Sequence, residues 1–511
     1  MSLAPYSTRY AAEAIVCAVD NLAAQAGVEM LRAGGSAVDA AIGAGAVLAV
    51  TQQHQCGLGG DLLALVHCPG DVSPSALYAG GRAGSGADAQ RLRAAGYDHM
   101  PADRDRACAP VPGCVDGWLA LHERFGRLPL EALLAPARSH ASSGFSASEA
   151  VADAARELAG VAHANDFTAG GPLVAGEIVR RPGVARALEA IARKGRRGFY
   201  EGEFGEALLA SGDGEYTAAD LARVQADWVA PLGIDAFGQR LWSLPPSSQG
   251  YLLLRSAAIA SGFQLPEPEH PDWAHLLIES SREAAADREA MWHEASDGQA
   301  LIAPEGIAAM RARITARAGA GGPAAVPGGT VSLCVVDRDR MAVSLLQSNF
   351  ASWGSLRFVS GVGVALHNRG SCFSLKPGHP AEYGPGRRPP HTLAPALVTD
   401  PDGSLEATLA TRGGHIQPQI LLQLLARLYA GSETPAHAMA AGRWAHSPEG
   451  VLLEGQAPAS WFDGLSTRGH RVQRRPPFQD EFGHAQVIVA AGDHLAAASD
   501  PRSPTWAVGA L

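Results

Sequence analysis

The stretch Ala324–Ser348 reads AAVPGGTVSLCVVDRDRMAVSLLQS. Two alternating apolar runs flank a charged turn, the pattern of a β-hairpin with one half-buried face. A Pro-Gly-Gly lead runs directly into a threonine at the first strand position. With Asp337–Arg340 as the turn, Val336 faces Met341, and Thr330 falls opposite Gln347 with Ser348 one step beyond, provided no bulge shifts the register. In that register a hydroxyl from the partner strand comes to lie beside Thr330. Read locally, Thr330 is a β-branched residue in a strand, where threonine is favoured.

A threonine at the first position of a chain is chemically different. Its α-amine has a pKa of roughly 7.7–8.0 against about 10.4 for a lysine, so one residue carries both the nucleophile and its proton acceptor. Thr330 is internal in the encoded chain. Gly328 and Gly329 lack side chains, which leaves the Gly329 carbonyl open to the Thr330 hydroxyl. Attack there shifts the acyl group from nitrogen to oxygen, and water then frees a new N-terminus.

Around the hairpin the composition narrows the field. A chain of 511 residues suggests two or three units. Its 47% hydrophobic and 18% charged content is that of a globular protein. The 41 Lys plus Arg against 51 Asp plus Glu give a net charge of −10, with the arginines scattered, which speaks against nucleic-acid or anionic-membrane partners. The N-terminal run MSLAPYSTRYAAEAIVCAVDN is interrupted by Glu13 and Asp20, and Ala40–Val50 is too short to span a bilayer, so neither a signal peptide nor a membrane helix is expected. Seven cysteines without a CxxC pair make no disulfide framework, and the expected compartment is the cytoplasm. The histidines show no HExxH or comparable spacing, so neither a catalytic metal nor a cofactor is expected.

Along the chain, residues 15–50 read as helical, interrupted by a Gly pair, and GLGGD (57–61) as a Gly-rich turn feeding a strand. GLGGD lacks the GxGxxG spacing of a dinucleotide site. Apolar spacing predicts helices in VDGWLALHERFG, LEALLAPARSHASSGF and VARALEAIARKG, and one long helix in AHLLIESSREAAADREAMWHEA. RLWSLPPSSQGYLLLRSAAIASG reads as strand, turn and helix. A third strand is expected near FVSGVGVALHN, and a hairpin turning on Asp-Pro-Asp-Gly in ALVTDPDGSLEATLAT. The uncharged segment 318–329 has the composition of a linker. The loop 376–388 reads equally as a lid or a connector. No internal repeat is found. The N-terminal part is helix-rich and the C-terminal part β-rich.

GGSAVDAAIGAGAVLAV followed by GLGGD, then HERFGRLPLEALLAPA, ALEAIARKGRRGFYEGE, TAADLARVQADWVAPL, SLPPSSQG, TVSLCVVD, RRPPHTLAPALV and TRGGHIQPQ, together resemble the γ-glutamyltransferase family in order and over residues of about 10–450. The resemblance implies an α+β fold, the four-layer αββα sandwich of N-terminal-nucleophile hydrolases. It implies a proenzyme cut between Gly329 and Thr330 into a large subunit (1–329) and a small one (330–511) that stay associated; further pairing into a dimer of heterodimers stays open. Thr330 becomes the nucleophile, Ser348 takes the place of the family's second threonine, and Gly413 and Gly414 match the pair whose N–H groups hold the oxyanion. Such donors lower a barrier by about 3–4 kcal/mol each.

The pocket departs from the family pattern. Positions that hold the glutamyl amine carry Phe350, Arg369 and Cys372, which leaves no carboxylate there for an ammonium. His391 and Thr392 replace the paired serines that hold the α-carboxylate. The family's carboxylate-binding arginine falls near Asp88, with Arg82 as the replacement. A guanidinium beside a carboxylate forms a charge-assisted pair, whereas beside an ammonium it repels. HNRG, HTLAP and GGxxQPQ resemble the acylase and oxamate amidohydrolase-like branch. The expected substrate is therefore a small amide with an anionic end, cleaved by water through an acyl-enzyme. Two alternatives stand beside it: a conventional γ-glutamyl hydrolase or transpeptidase acting on glutathione-like donors, and an inert homologue that only binds.

Overall fold

In the computed structural model, which describes residues 6–319, 328–503 and 507–511, the hairpin forms from Gly329–Val336 and Ala342–Phe350. Its register differs by one from the sequence expectation. Asp337 and Met341 close the turn through Asp337 N–H and Met341 O (3.0 Å). The loop proper is thus Arg338–Arg340, with Arg340 at φ +64°. A three-residue loop ending in the left-handed region is a standard hairpin closure. Val336 therefore faces Ala342, and Thr330 lies directly opposite Ser348 rather than Gln347. The register slips between Gly329 and Thr330, since Gly329 faces Phe350. Asn349 is the extra residue, and Phe350 sits at φ +74°, a conformation costly for a bulky side chain.

This hairpin is the centre of a seven-stranded sheet among the described residues. The order is Ala507–Ala510, Ile15–Ala18, Gly329–Val336, Ala342–Phe350, Asp61–His67, Ser75–Ala79 and Asp227–Val229. A second sheet runs Arg9–Ala11, His494–Ser499, Ala485–Ala491, Leu405–Thr411, Ala396–Thr399, Gln239–Ser243 and Leu232–Ala236. The alternation of side chains along each strand sorts them into layers. Cys334, Val336, Ala342 and Leu346 pack with Leu397, Ala410 and Ile488 between the sheets. Val331, Leu333, Val335, Val343 and Leu345 face the other way, onto helices Asn21–Arg32 and Ala37–Thr51. Val398, Leu409 and Val487 of the second sheet pack on helices Gly250–Ala260, Pro271–Ala284 and Gln417–Leu425. The result is the expected αββα sandwich. Its length is accommodated by stacked layers rather than separate units, and both sheets take strands from either side of residue 329.

Three local expectations are corrected. Residues 15–50 are not all helical, because Ile15–Ala18 is a strand. A short apolar run buried on both faces carries no period to separate strand from helix, and Asp20 starts the first helix as its N-cap. The long helix ends at Ala284, with Arg288–Met291 a separate turn. There the Arg255 guanidinium bonds the Ala284 carbonyl (3.3 Å) and Asp287 (2.7 Å). The third strand is instead a small ribbon, Phe358–Val359 with Val364–Ala365, turned through Gly361 and Gly363 at φ +75° and +67°. The core of the presumed linker, 320–327, lies outside the described residues. In loop 376–388, Tyr383 is buried and bonds Glu215, while Arg93 pairs with Glu382. No helix among the described residues is long and apolar enough to cross a membrane.

Candidate active site

Even-numbered hairpin residues face the second sheet, so Thr330 and Ser348 project together into the inter-sheet space. Thr330 Oγ1 lies 3.0 Å from Ser348 Oγ, and Ser348 Oγ lies 2.5 Å from the Gly329 carbonyl oxygen. A carbonyl can only accept, so the single Ser348 proton points to Gly329, and Thr330 is the donor to Ser348. The Ser348 oxygen also receives the Phe350 N–H (2.8 Å) and an Arg369 N–H (3.3 Å). Both hydroxyl residues are buried.

Strand Leu405–Thr411 delivers the glycine pair. Gly413 and Gly414 have φ +142° and +56°, and a Cβ on Gly413 would also meet Ile420 Cδ1 at 2.9 Å. Glycine is therefore required at Gly413 on both counts. A Cβ placed on Gly328 would sit 3.3 Å from the Gly414 nitrogen, so the segment preceding Thr330 runs along the Gly414 amide. Gln249, from the SLPPSSQG turn, fixes this wall. Its Nε2 donates to the Gly414 carbonyl (2.8 Å) and the Thr392 carbonyl (2.6 Å).

Arg369 is wholly buried. It donates to Thr392 Oγ1 (2.8 Å) as well as to Ser348. A carboxylate does stand beside it, contrary to the sequence expectation. Asp61, which closes the GLGGD turn and pairs across the sheet with Ser348, accepts from Arg369 Nε at 2.9 Å. His367 Nδ1 and His391 Nε2 approach the same carboxylate at 3.2 and 3.1 Å. Burial pushes the Asp61 carboxyl up, but Arg369, His391 and His367 outweigh it and hold it well below the usual range. Burial, with Arg369 adding to it against Asp61, brings His391 down to about 4. His391 is therefore neutral at pH 7. Its Nδ1 accepts the Leu393 N–H (3.2 Å), which leaves the proton on Nε2, facing Asp61.

The structure brings together Gly329, Thr330, Ser348, Arg369, His391, Thr392 and, through Gln249, Gly414. It does not bring in the Arg82 guanidinium, which contacts Glu294 (3.2 Å), the Gly386 carbonyl (3.1 Å) and Asp227 (3.8 Å). Sequence reasoning missed Asp61, His367, Gln249 and Arg288. Arg288 is buried and stacks on Trp292 at 4.2 Å. It donates to Gln249 Oε1 (3.3 Å), its Nε has no partner, and no carboxylate lies within ion-pair distance among the described residues. Burial brings its guanidinium down to about 10. The signal for Asp61 lay in GLGGD itself, as a charged residue closing a glycine turn into an apolar strand; Arg288 left none.

The family model for γ-glutamyltranspeptidase matches residues 23–510. The chain belongs to the γ-glutamyltranspeptidase family. It is 32% identical to the oxamate amidohydrolase proenzyme of Klebsiella pneumoniae, over 99% of this chain and 100% of that one. It is 31% identical to a glutathione hydrolase-like proenzyme, YwrD, of Bacillus subtilis, over 96% and 97%. The cephalosporin acylase of Bacillus halodurans superposes with a TM-score of 0.93 at 30% identity, covering 100% of this chain and 98% of that one. Membership of the γ-glutamyltranspeptidase family makes the chain an enzyme with the N-terminal-nucleophile hydrolase fold, and its relatives include amidohydrolases and acylases as well as glutathione hydrolases.

Proposed function

We propose that this enzyme cuts itself between Gly329 and Thr330 and then hydrolyses small amides whose acyl part carries an anionic group. The observation that carries the reading is the hydroxyl chain from Thr330 through Ser348 to the Gly329 carbonyl, at 3.0 and 2.5 Å. As Thr330 Oγ attacks the Gly329 carbon, its proton passes to Ser348 and the Ser348 proton passes to the carbonyl oxygen. On collapse the carbonyl re-forms, its hydroxyl proton passes to the departing nitrogen as the C–N bond breaks, and an ester with a free Thr330 amine is left; water hydrolyses the ester to the Gly329 carboxylate and the free Thr330 hydroxyl. The two chains, 1–329 and 330–511, remain together.

With the Gly329 end withdrawn, the substrate carbonyl takes the space beside Gly413 and Gly414, whose N–H groups hold the oxyanion. The Thr330 amine accepts the hydroxyl proton and returns it to the departing amine or ammonia. Water then attacks the acyl-enzyme through the same groups. Specificity follows from charge. Asp61 and Arg369 cancel, His391 is neutral, and Arg288 is left as a buried cation without a counter-ion, so an anion is the complementary ligand. Arg369, His391 and Thr392 shape the acyl pocket around it. Asp61 is the one feature that favours a γ-glutamyl donor, since it could meet an ammonium, but Arg369 and two histidines already engage it.

A denaturing gel of purified protein is expected to show two bands, the smaller beginning at Thr330 by N-terminal sequencing, and Thr330→Ala one uncut band. Matured enzyme is expected to release ammonia from oxamate faster than amine from a γ-glutamyl anilide. An uncut chain that is nonetheless active overturns the mechanism. Turnover of the anilide alone overturns the specificity.

A further inference from the structure

Away from the active site, three ligand-type side chains meet on the outer face of the second sheet's helix layer. His275 and Glu279 lie one turn apart on helix Pro271–Ala284 and so share a face. Beyond helix Ala459–Thr467, Gly469 at φ +94° turns the chain and delivers His470. The ligand atoms of His275, Glu279 and His470 all fall within 4.8 Å of one another.

The hydrogen bonds prepare these groups for a cation. His275 Nε2 lies 2.8 Å from the Thr315 carbonyl, which can only accept, so Nε2 carries the proton and the Nδ1 lone pair points inward. That lone pair meets His470 Nε2 at 2.8 Å. A ligating histidine commonly has its second nitrogen held by a carbonyl in this way, which sets tautomer and ring angle. Glu279 Oε2 is held by Arg282 (3.0 and 2.7 Å) and by the Gly319 N–H (3.1 Å), while Oε1 carries none of these bonds. All three residues are buried, yet a cavity of about 260 Å³, lined also by Arg282, Gly319 and His446, opens onto Glu279 and His470. It offers an entry path and room for a water as fourth ligand.

We propose that His275, Glu279 and His470 bind one zinc-class divalent cation as a structural site. The cation takes the place of the His470 Nε2 proton, His470 adopting the tautomer protonated at Nδ1, and the two nitrogens part by about half an ångström to reach tetrahedral spacing. Two imidazoles with a carboxylate select zinc or cobalt over calcium or magnesium. His275 and Glu279 precede residue 329 and His470 follows it. In a chain cut at Gly329 the ion therefore bridges the two subunits, a consequence that rests on the cleavage proposed above, whereas binding itself does not.

Untagged Thr330→Ala protein, which stays uncut, tests binding alone. After dialysis against chelator and addition of cobalt(II), a visible absorption band of a low-symmetry four-coordinate ion at one equivalent per chain is expected. Zinc should displace it. His470→Gln and Glu279→Gln are expected to weaken zinc binding by more than about tenfold. No cobalt band in the Thr330→Ala protein, or equal affinity in folded His470→Gln protein, overturns the site. On processed wild-type protein, zinc should raise the urea concentration at which the subunits separate, and His470→Gln should abolish that rise. A wild-type midpoint that zinc leaves unmoved overturns the bridge.

Discussion

Replacing Asp61 by asparagine removes a charge from the most enclosed ion pair of the active site. Asp61 and Arg369 are both fully buried, with Nε and Oδ2 2.9 Å apart. In Asp61→Asn the guanidinium stays inside the protein, bonded to Thr392 and Ser348 but without its counter-charge. Orphaning one partner of a buried pair costs about 3–5 kcal/mol. Unfolding entropy near 2.1 cal/mol/K per residue gives this 511-residue chain roughly 1.1 kcal/mol/K. The expected fall in Tm is therefore about 3–5 °C. Calorimetry on a Thr330→Ala background keeps the chain intact and the comparison clean. Arg369→Met added to Asp61→Asn removes the stranded cation, so the double variant should melt higher than Asp61→Asn alone. A fall of less than 1 °C, or a double variant that simply sums two losses, would show that the pair is not electrostatically coupled and would remove the charge argument for specificity.

Ser348→Ala deletes the donor to the Gly329 carbonyl and should slow self-cleavage by about 10²–10³, followed as loss of the full-length band; cleavage at the wild-type rate would refute the relay. Arg288→Gln should lower kcat/KM for anionic amides by about 10- to 100-fold, the worth of a charged hydrogen bond, while neutral amides of equal size change little; equal losses on both would refute the assignment. Acid stability follows from Asp61, whose carboxyl in the folded state lies below its unfolded value. Its stabilisation is fully present above about pH 4 and is lost as the pH falls further toward the folded-state pKa. Tm measured from pH 6 to pH 3 should therefore drop more steeply in wild type than in Asp61→Asn, and parallel curves would contradict it.

The hairpin, the glycine pair and the layer order were legible because each leaves a local trace: alternation, a Gly-Gly step, or a family motif. The one-residue register error shows where such traces end. Whether the loop takes three residues or four depended on Arg340 accepting a left-handed conformation, for which arginine gives no cue. Asp61 was in plain view within GLGGD, but its meaning comes from Arg369, 308 positions later, and no periodicity links them. Arg288 was hidden for a related reason. It lay inside an apparent amphipathic helix, and only the break at Ala284, set by Arg255, turns it toward Gln249. Arg82 failed in the opposite sense, since it stands near the right place in the chain while Glu294 and Asp227 draw its guanidinium elsewhere.

The strand that begins at Gly329 has Ile15–Ala18 on one side, and its hairpin mate has Asp61–His67 on the other. The second sheet alternates in the same manner, with Arg9–Ala11 at one edge and Gln239–Ser243 and Leu232–Ala236 at the other. Expressed as two separate polypeptides, each would emerge as an unfinished ribbon with bare hydrogen-bonding edges, prone to aggregate before meeting its counterpart. If the chain is cut at Gly329 as proposed, folding first as one continuous precursor would interleave both sets of strands before either edge is left bare.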